Sequence, residues 1–201
     1  MYRYFIKRFF DIIFSLVLIL FLLPFLIFLY LIIYIISKSN PIFTQERIGL
    51  HGTKFKIYKF KSMLEKYDEY NILLPDIERT YFLGNILRKL SIDELPQFFN
   101  ILSGQMSFIG PRPLLPRYVP LYNTFQNRRH EVKPGITGLA QIKGRNNTSW
   151  DTRFNFDIYY VDNLSFKLDL KIFINTISKV LSFSNISPKD KQFMDEFKGN
   201  N

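Results

Sequence analysis

The sequence predicts an α+β chain in which a hydrophobic N-terminal helix precedes a small, mostly helical domain with a short β-hairpin. Residues 12–36 carry no charged side chain over 25 positions. Two stretches that alternate apolar and polar residues flank a turn at 49–52, as in a hairpin. Farther along, apolar residues recur at the spacing of buried helical faces. The expected division is a membrane segment over 1–37, a folded domain over 38–183 and a polar tail over 184–201.

The composition limits the classes of function. The chain has 201 residues, no cysteine and two histidines, and its formal net charge is +10. The lack of cysteine excludes disulfides, thiolate zinc sites and cysteine nucleophiles, and it suits a cytoplasmic protein. The positive charge predicts a surface that attracts anions such as phosphates, acidic lipids or nucleic acid.

The uncharged stretch is long enough to cross a bilayer. A helix of 25 residues extends about 37 Å, against about 30 Å for the hydrocarbon core. Pro24 lies in its middle, and a proline removes one helix hydrogen bond and bends the helix. Lysines and arginines flank both ends, which gives no orientation for a single crossing but is satisfied if both ends stay in the cytoplasm. We therefore predict a re-entrant helix hairpin that enters and leaves one leaflet, with a single crossing as the alternative.

The residues after this segment predict a basic hairpin and two helices. The strands are expected at 41–48 and 54–63. Lysines on the second strand, Lys59 among them, either form a solvated face or contact phosphate and anionic head groups. A helix at 165–181 is amphipathic and either packs on the core or lies at the bilayer surface. A short helix is expected at 81–90, with these side chains inward: Phe82, Ile86, Leu87 and Leu90.

Two adjacent carboxylates, Asp93 and Glu94, stand at the start of a further predicted helix. Its expected buried face and its terminal glycine are Leu95, Phe98, Phe99, Leu102 and Gly104. One interpretation is capping, with Asp93 as the N-cap or with Ser91 and Glu94 as a capping box. The other is a nucleophile or a metal ligand at a helix N-terminus, where phosphate also binds readily. The residues alone leave both interpretations open.

Several cations are candidate phosphate ligands for a site at this dyad. Prolines on both sides of Arg112 fix its backbone, which suits bidentate binding of phosphate, although a surface arginine in a proline-rich connection is the alternative. Arg88 closely precedes the dyad. Arg145 follows a run at 133–144 whose glycines allow backbone amides to approach a ligand. Asp157 is expected to be a salt-bridge partner or a ligand.

Taken together, these pieces resemble the small monotopic phosphoglycosyl transferases of bacteria. The resemblance covers nearly the whole chain, and it rests on the basic, hydrophobic start and on five motifs in order: Phe43-Thr44-Gln45, Tyr58-Lys59-Phe60-Lys61, Ser91-Ile92-Asp93-Glu94-Leu95-Pro96-Gln97, Met106-Ser107-Phe108-Ile109-Gly110-Pro111-Arg112-Pro113 and Lys133-Pro134-Gly135-Ile136-Thr137-Gly138-Leu139-Ala140-Gln141. The chain length and the runs at 163–166 and 197–200 are most similar to the members that begin bacterial N-glycan assembly. One departure is Leu23-Pro24, where the family usually carries Ser-Pro, so the hydroxyl that supports the bend is missing.

The resemblance implies a two-step reaction at the bacterial inner (cytoplasmic) membrane, with the folded domain on the cytoplasmic face. Asp93 attacks the β-phosphorus of a UDP-sugar and releases UMP, and undecaprenyl phosphate then accepts the phosphosugar. The implied donor is UDP-N,N′-diacetylbacillosamine. Glu94 holds Mg²⁺ and takes part in catalysis, and Asp157 lies in the site wall. The implied phosphate-binding residues are Lys59, Arg88, Arg112 and Arg145.

Membrane lipids are implied as further partners, and nucleic acid is not expected. Two alternatives stay open at this point. The same reaction could use UDP-GlcNAc, UDP-galactose or UDP-glucose. In the other alternative, the chain is a non-enzymatic, membrane-tethered module that binds anionic lipid or nucleic acid through its positive charge.

Overall fold

A computed structural model describes residues 2–144, 148–181 and 196–199. A π-helical turn at Tyr2–Ile6 leads into the first helix. The helices and strands are α1 (Lys7–Ser37), β1 (Ile42–Ile48), β2 (Lys54–Phe60), α2 (Asp76–Arg79), α3 (Phe82–Lys89), α4 (Gln97–Leu102), β3 (Ser107–Ile109), α5 (Thr124–Asn127), β4 (Gly135–Thr137), α6 (Leu139–Lys143), α7 (Trp150–Asp162) and α8 (Phe166–Leu181).

Helix α1 packs along its length against the rest of the protein. Its buried residues recur every three, four or seven positions, which places them in one stripe: Asp11, Ser15, Ile19, Leu26, Leu29 and Ile33. Ile19 packs with Phe55 and Phe98, while Leu26 packs with Phe60. The structure has one helix that contains Pro24, and the re-entrant path stays a prediction.

The opposite face of α1 is apolar and exposed. It presents large side chains over most of the helix, from Phe9 to Ile36. Helix α8 adds an exposed apolar stripe that consists of Phe166, Leu170, Phe173, Ile174 and Ile177. The ring of Phe166 lies 6.3 Å from that of Phe10, so the two apolar faces adjoin. Of the helices in the described ranges, α1 is the one long and apolar enough to cross a membrane.

The N-terminal end of α1 is tied to the same domain that follows its C-terminal end. Lys7 forms an ion pair of 2.7 Å with Asp169 of α8. Arg8 donates to the carbonyl oxygen of Ile101 at 2.6 Å, at the C-terminal end of α4. Ser37 ends the helix, and β1 begins five residues later. Both ends of the hydrophobic helix therefore lie against one folded body.

Strands β1 and β2 form the predicted antiparallel hairpin, with Gln45 opposite Ile57 and Phe43 opposite Lys59. Residues paired across an antiparallel ladder share one face of the sheet. Phe55 and Ile57 are buried on that face. Because Lys59 lies on the same face, its side chain is directed toward the interior rather than into solvent.

The glycine-rich run has a role within the fold. Strands β3 and β4 pair in parallel, with Ser107 opposite Gly135. A Cβ atom at Gly135 would overlap the backbone nitrogen of Gly110, and one at Gly138 would overlap the carbonyl oxygen of Gly110. These glycines allow two segments of this chain to approach closely, and their approach to a ligand stays a prediction.

Two predicted helical faces are partly wrong. Phe82, expected to be inward, is 83% exposed, whereas Leu87 is buried as expected. Phe99 is exposed, and Ile101 is buried in its place. Phe98 and Ile101 are both buried in α4, and their spacing of three places them on one helical face, from which Phe99 is turned away.

The C-terminal residues 196–199 are docked rather than extended as the polar tail was expected to be. Phe197 is buried. Its ring lies 5.1 Å from that of Phe154 and 5.4 Å from that of Trp150. The rest of the predicted tail lies outside the described residues.

Candidate active site

The two carboxylates of the dyad lie on a tight turn between α3 and α4. Ser91 has a left-handed backbone, with φ of 56°, and it leads into the 3₁₀ turn Ile92–Glu94. Helix α4 begins at Gln97, after Pro96. Neither Ser91 nor Pro96 caps a helix with a side-chain hydrogen bond. The interpretation of Asp93 as an N-cap, and of Ser91 and Glu94 as a capping box, is therefore wrong.

Glu94 is held in place by two cations. Its Oε1 accepts from Lys59 Nζ at 2.6 Å and from Arg112 Nη2 at 3.0 Å. The side chains of Glu94 and Lys59 are mostly buried, and that of Arg112 is 49% exposed. Burial alone would raise the pKa of Glu94, but the charges of Arg112 and Lys59 outweigh it and lower that pKa to about 2. Glu94 is thus ionised and fixed in one orientation.

Asp93 differs from its neighbour. Its carboxylate makes no hydrogen bond and no ion pair within the described ranges. Burial raises the pKa of Asp93, and the charges of Lys59, Arg88 and Arg112 act against that rise. Arg88, on α3, is therefore near enough to act on the dyad. Asp93 is thus the carboxylate of this pair that no described side chain holds.

The backbone around Arg112 is fixed by bonds to three other segments. Pro111 accepts a hydrogen bond from the backbone of Gly135 at 3.0 Å, and Leu114 accepts one from Ile48 at 3.1 Å. The carbonyl oxygen of Arg112 accepts from Arg129 Nη2 at 2.8 Å. These bonds fix the backbone of the segment whose guanidinium contacts Glu94, and the binding of phosphate by Arg112 stays a prediction.

Asp157 lies behind Arg112. Its carboxylate forms a buried ion pair with Arg129, at 2.7 Å, and both side chains are at most 5% exposed. The salt-bridge interpretation of Asp157 is therefore the one that the contacts support, and Asp157 acts on Arg112 through Arg129. Nothing in the sequence distinguishes Arg129 from its exposed neighbour Arg128, so sequence reasoning missed it.

A further missed cation is Arg47, on β1. It shares the inner face of the hairpin with Lys59, because it is paired with Phe55. The strand register could have identified it, since Phe55, Ile57 and Lys59 alternate along that face. Arg145 lies outside the described residues, so its predicted role stays a prediction.

The dyad offers few oxygen ligands for a cation. Over the described ranges, no three residues among His, Cys, Asp and Glu gather in a way that could hold a metal. Glu94 uses Oε1 for both ion pairs, and its Oε2 makes no hydrogen bond to a described residue. A divalent cation here would bind to the dyad together with oxygens of a ligand, which is the usual mode of Mg²⁺ at phosphate sites.

A separate groove of about 570 Å³ lies between α6, α7 and α8. Its walls are mostly apolar, with Lys143 and Lys171 among the lining residues. None of the predicted site residues that the structure describes lines it. The predicted chemistry is therefore concentrated at the dyad and not at this larger concavity.

Comparison with known proteins gives one family and several relatives. The family described as "Bacterial sugar transferase" matches residues 2–183. The uncharacterized sugar transferase EpsL of Bacillus subtilis (strain 168) is 53% identical over 157 residues, which are 78% of each chain. The exopolysaccharide production protein ExoY of Sinorhizobium fredii is 40% identical over 155 residues, or 69% of each chain.

A longer relative carries a reaction in its name. It is the UDP-glucose:undecaprenyl-phosphate glucose-1-phosphate transferase of Klebsiella pneumoniae, which is 40% identical over 183 residues. The match covers 86% of the present chain and 39% of that protein. A family of transferases argues against the non-enzymatic binding module.

Proposed function

Since the chain belongs to the bacterial sugar transferase family, we propose that it transfers a sugar 1-phosphate from a UDP-sugar to undecaprenyl phosphate through a covalent intermediate on Asp93. The observation that supports the covalent route is the difference between the two carboxylates. Glu94 is held by Lys59 and Arg112, whereas Asp93 is unpaired among the described residues. A nucleophile has to be free to move onto phosphorus, and a positioning group does not.

In the first step, a carboxylate oxygen of Asp93 attacks the β-phosphorus of the UDP-sugar. An Asp93 O–P bond forms while the P–O bond to the UMP portion breaks, and that bonding electron pair leaves with UMP. Lys59 and Arg112 lie beside the dyad and offset the negative charge of the phosphoryl oxygens. A covalent intermediate divides one difficult displacement into two easier ones.

In the second step, a phosphate oxygen of undecaprenyl phosphate attacks the same phosphorus, and the Asp93 O–P bond breaks. The products are the lipid diphosphosugar and the free carboxylate. The position of the dyad suits a lipid acceptor, because Ile92 and Leu95, on either side of it, pack in one cluster with Leu26 and Leu29 of α1. The reacting carboxylate thus lies next to the hydrophobic helix.

Mg²⁺ is part of the proposal. The fixed, ionised Glu94, with one unbonded oxygen, fits a site that a divalent cation shares with substrate phosphates. When bound, the ion would neutralise charge on the diphosphate and on the departing UMP. The protein would hold it through Glu94, and Lys59 and Arg112 would orient that carboxylate.

We also propose that α1 is re-entrant and that the domain is on the cytoplasmic face. The support is that both ends of α1 are bonded to one domain: Arg8 donates to Ile101 at one end, and Ser37 leads into β1 at the other. One domain cannot lie on both sides of a bilayer. The exposed apolar face of α1 would then contact lipid over its length.

For the donor we propose UDP-N,N′-diacetylbacillosamine, on the resemblance of residues 163–166 and 197–200 to the members that begin N-glycan assembly. The Klebsiella relative is named for glucose, so the sugar requires a direct comparison. UMP release from UDP-glucose, UDP-galactose and UDP-GlcNAc should be slower than from the proposed donor. A faster release from one of them would identify that sugar instead.

The test of the mechanism is a reaction without lipid acceptor. Wild-type protein with Mg²⁺ and the UDP-sugar should release about one UMP per enzyme and gain the mass of one phosphosugar on the peptide that contains Asp93. Asp93→Asn should form no adduct and should lose turnover by at least about 1,000-fold. Its fold should be retained, because the Asp93 side chain bonds to no described residue.

Two matched variants complete this experiment. Asp151→Asn removes an exposed carboxylate at the start of α7 and should react as the wild type does. Glu94→Gln keeps an oxygen but no charge, and it should slow both steps and require more Mg²⁺. Substantial turnover by Asp93→Asn, or UMP release that requires the lipid and leaves no adduct, would replace the covalent route with direct transfer.

A further inference from the structure

Arg47 lies on the same sheet face as Lys59 but at the other end of the hairpin. Lys59 is paired with Phe43, and Arg47 is four residues farther along β1, which corresponds to about 13 Å. The end of β1 is bonded to the segment that carries Arg112, through the 3.1 Å bond from Ile48 to Leu114. Arg47 is thereby placed beside Arg112, on the side away from Lys59.

The guanidinium of Arg47 has few partners of its own. One nitrogen, Nη2, donates to Gln45 Oε1 at 2.6 Å. Its Nε is shielded from solvent and has no hydrogen-bond partner among the described residues. No Asp or Glu of the described ranges forms an ion pair with Arg47. Glu94 pairs instead with Lys59 and Arg112, and Glu196 pairs with Arg117. Arg47 is therefore a largely buried cation without a counterion in this part of the chain.

The charges around Arg47 make this arrangement unfavourable in the empty site. Burial lowers the pKa of Arg47 to about 10, and the positive charges of Arg112 and Arg117 contribute to the fall, while Glu94 and Tyr118 offset part of it. The side chain remains charged at neutral pH. A buried cation among other cations costs free energy unless an anion offsets it. If Arg47 served only to pack the hairpin, an uncharged side chain would fill the same space without this cost.

We propose that Arg47 binds the phosphoryl group that leaves with UMP, while Lys59 and Arg112 surround the one that Asp93 attacks. The inference rests on the proposed function and adds a second phosphate subsite to it. A UDP-sugar carries two adjacent phosphoryl groups, and Arg112 stands between the two ends of the hairpin face. As the P–O bond to UMP breaks, negative charge grows on the leaving phosphate. The guanidinium of Arg47 would donate to that phosphate and offset the charge.

The test separates the two half-reactions. Arg47→Gln should slow UMP release from the UDP-sugar by about 100-fold. It should also weaken inhibition by added UMP by about tenfold, because the leaving phosphate loses a charged donor. Transfer from the phosphosugar adduct, formed by long incubation and freed of UMP, to undecaprenyl phosphate should slow as well, because the lipid phosphate attacks in line with the Asp93 O–P bond and so enters the subsite that the UMP phosphate left. In the first step, the rate of UMP release by Arg47→Lys should lie between those of the wild type and Arg47→Gln.

A second measurement does not depend on turnover. UMP should raise the melting temperature of the wild-type protein and raise that of Arg47→Gln much less, since a ligand stabilises the state that binds it. The control is Lys56→Gln, which removes one positive charge from the exposed outer face of the same hairpin. This variant should match the wild type in both half-reactions and in the UMP effect.

The proposal is overturned if Arg47→Gln releases UMP at the wild-type rate, or if UMP inhibits and stabilises that variant as it does the wild type. Either result would give Arg47 a structural role only. Failure of the wild-type protein to release UMP from any UDP-sugar would instead overturn the proposed function. In that case the comparison of UMP-induced stabilisation would still decide whether Arg47 binds the nucleotide phosphate.

Discussion

At the scale of single residues, His130 is a buried imidazole whose surroundings keep it neutral. Its Nδ1 lies 3.1 Å from Asn127 Oδ1, and its Nε2 has no hydrogen-bond partner in the part of the chain that the structure describes. The groups that face it are Arg129, which is paired with Asp157, and the ring of Tyr122. Burial lowers the pKa of His130 to about 4, and the charge of Arg129 adds to this effect.

This environment predicts a loss of stability in mild acid. Between about pH 6.5 and pH 4 the unfolded chain binds a proton at His130 that the folded protein does not bind, so the free energy of unfolding falls as the pH falls. The full difference in pKa corresponds to roughly 3 kcal/mol. His130→Gln has no imidazole that could titrate. Between pH 6.5 and pH 4 its free energy of unfolding should therefore fall by about 3 kcal/mol less than that of the wild type, as measured by denaturant unfolding in micelles.

The other histidine provides the control. His51 is exposed in the turn of the hairpin, and His51→Gln should follow the wild-type pH dependence, whatever its stability at neutral pH. Curves for wild type and His130→Gln that run parallel from pH 6.5 to pH 4 would show that His130 takes up its proton in the folded state as well.

Single residues also show where sequence reasoning stops. The pairing of carboxylate and cation at the dyad could be predicted, because Asp93, Glu94 and Arg112 lie in recognisable motifs. The division of labour between the two carboxylates could not be predicted, since it depends on which of them Lys59 reaches. That contact joins residues 35 positions apart. Arg47 and Arg129 were missed for the same reason: their roles follow from partners that are distant in the sequence.

At the scale of elements, the position of Arg112 depends on a close contact between β3 and β4. A Cβ atom at Gly110 or Gly135 would meet backbone atoms of the facing segment, and backbone cannot move aside as a flexible side chain can. Gly110→Ala and Gly135→Ala should therefore each cost about 3 kcal/mol of unfolding free energy. Activity should fall as well, because Gly135 donates the bond that fixes Pro111, next to Arg112.

Gly52→Ala is the matched comparison. Gly52 has φ of 76° in the hairpin turn, and a Cβ there would meet no atom within 4 Å. Its cost should be limited to the backbone conformation, at about 1 kcal/mol, with no effect on activity. Equal losses of unfolding free energy for Gly52→Ala, Gly110→Ala and Gly135→Ala, measured by denaturant unfolding, would show that β3 and β4 can move apart without a free-energy cost.

Elements with a strong local pattern could be predicted, and elements set by tertiary contacts could not. The hairpin followed from alternation around a glycine turn, and α8 followed from its helical period. The start of α4 was placed too early, because the 3₁₀ turn at Ile92–Glu94 has no distinct pattern in the sequence. Phe197 was assigned to a polar tail, since its burial depends on the cluster formed by Tyr118, Trp150 and Phe154.

At the scale of the whole molecule, the path of α1 joins the membrane segment to the site. Hydrophobicity alone allowed a single crossing as well as a re-entrant helix, because it does not report what the helix packs against. The described contacts favour the second path. Lys7 pairs with Asp169, and Leu26 packs with Phe60, so the two halves of α1 contact the same domain.

This arrangement predicts the accessibility of both ends of α1 in cells. The chain has no cysteine, so Phe5→Cys and Asn40→Cys can each be made as the only thiol, at positions where the native side chain is exposed. Both thiols should be shielded from a membrane-impermeant reagent in intact cells and should react after permeabilisation, as should a thiol at Lys56 on the hairpin.

Pro24→Ala restores the helix hydrogen bond that proline removes, so it should straighten α1 and increase labelling at residue 5 alone. Labelling at residue 5 but not at residue 40 in otherwise wild-type protein would mean that α1 crosses the bilayer. The bonds from Lys7 and Arg8 to the domain would then be absent in the membrane.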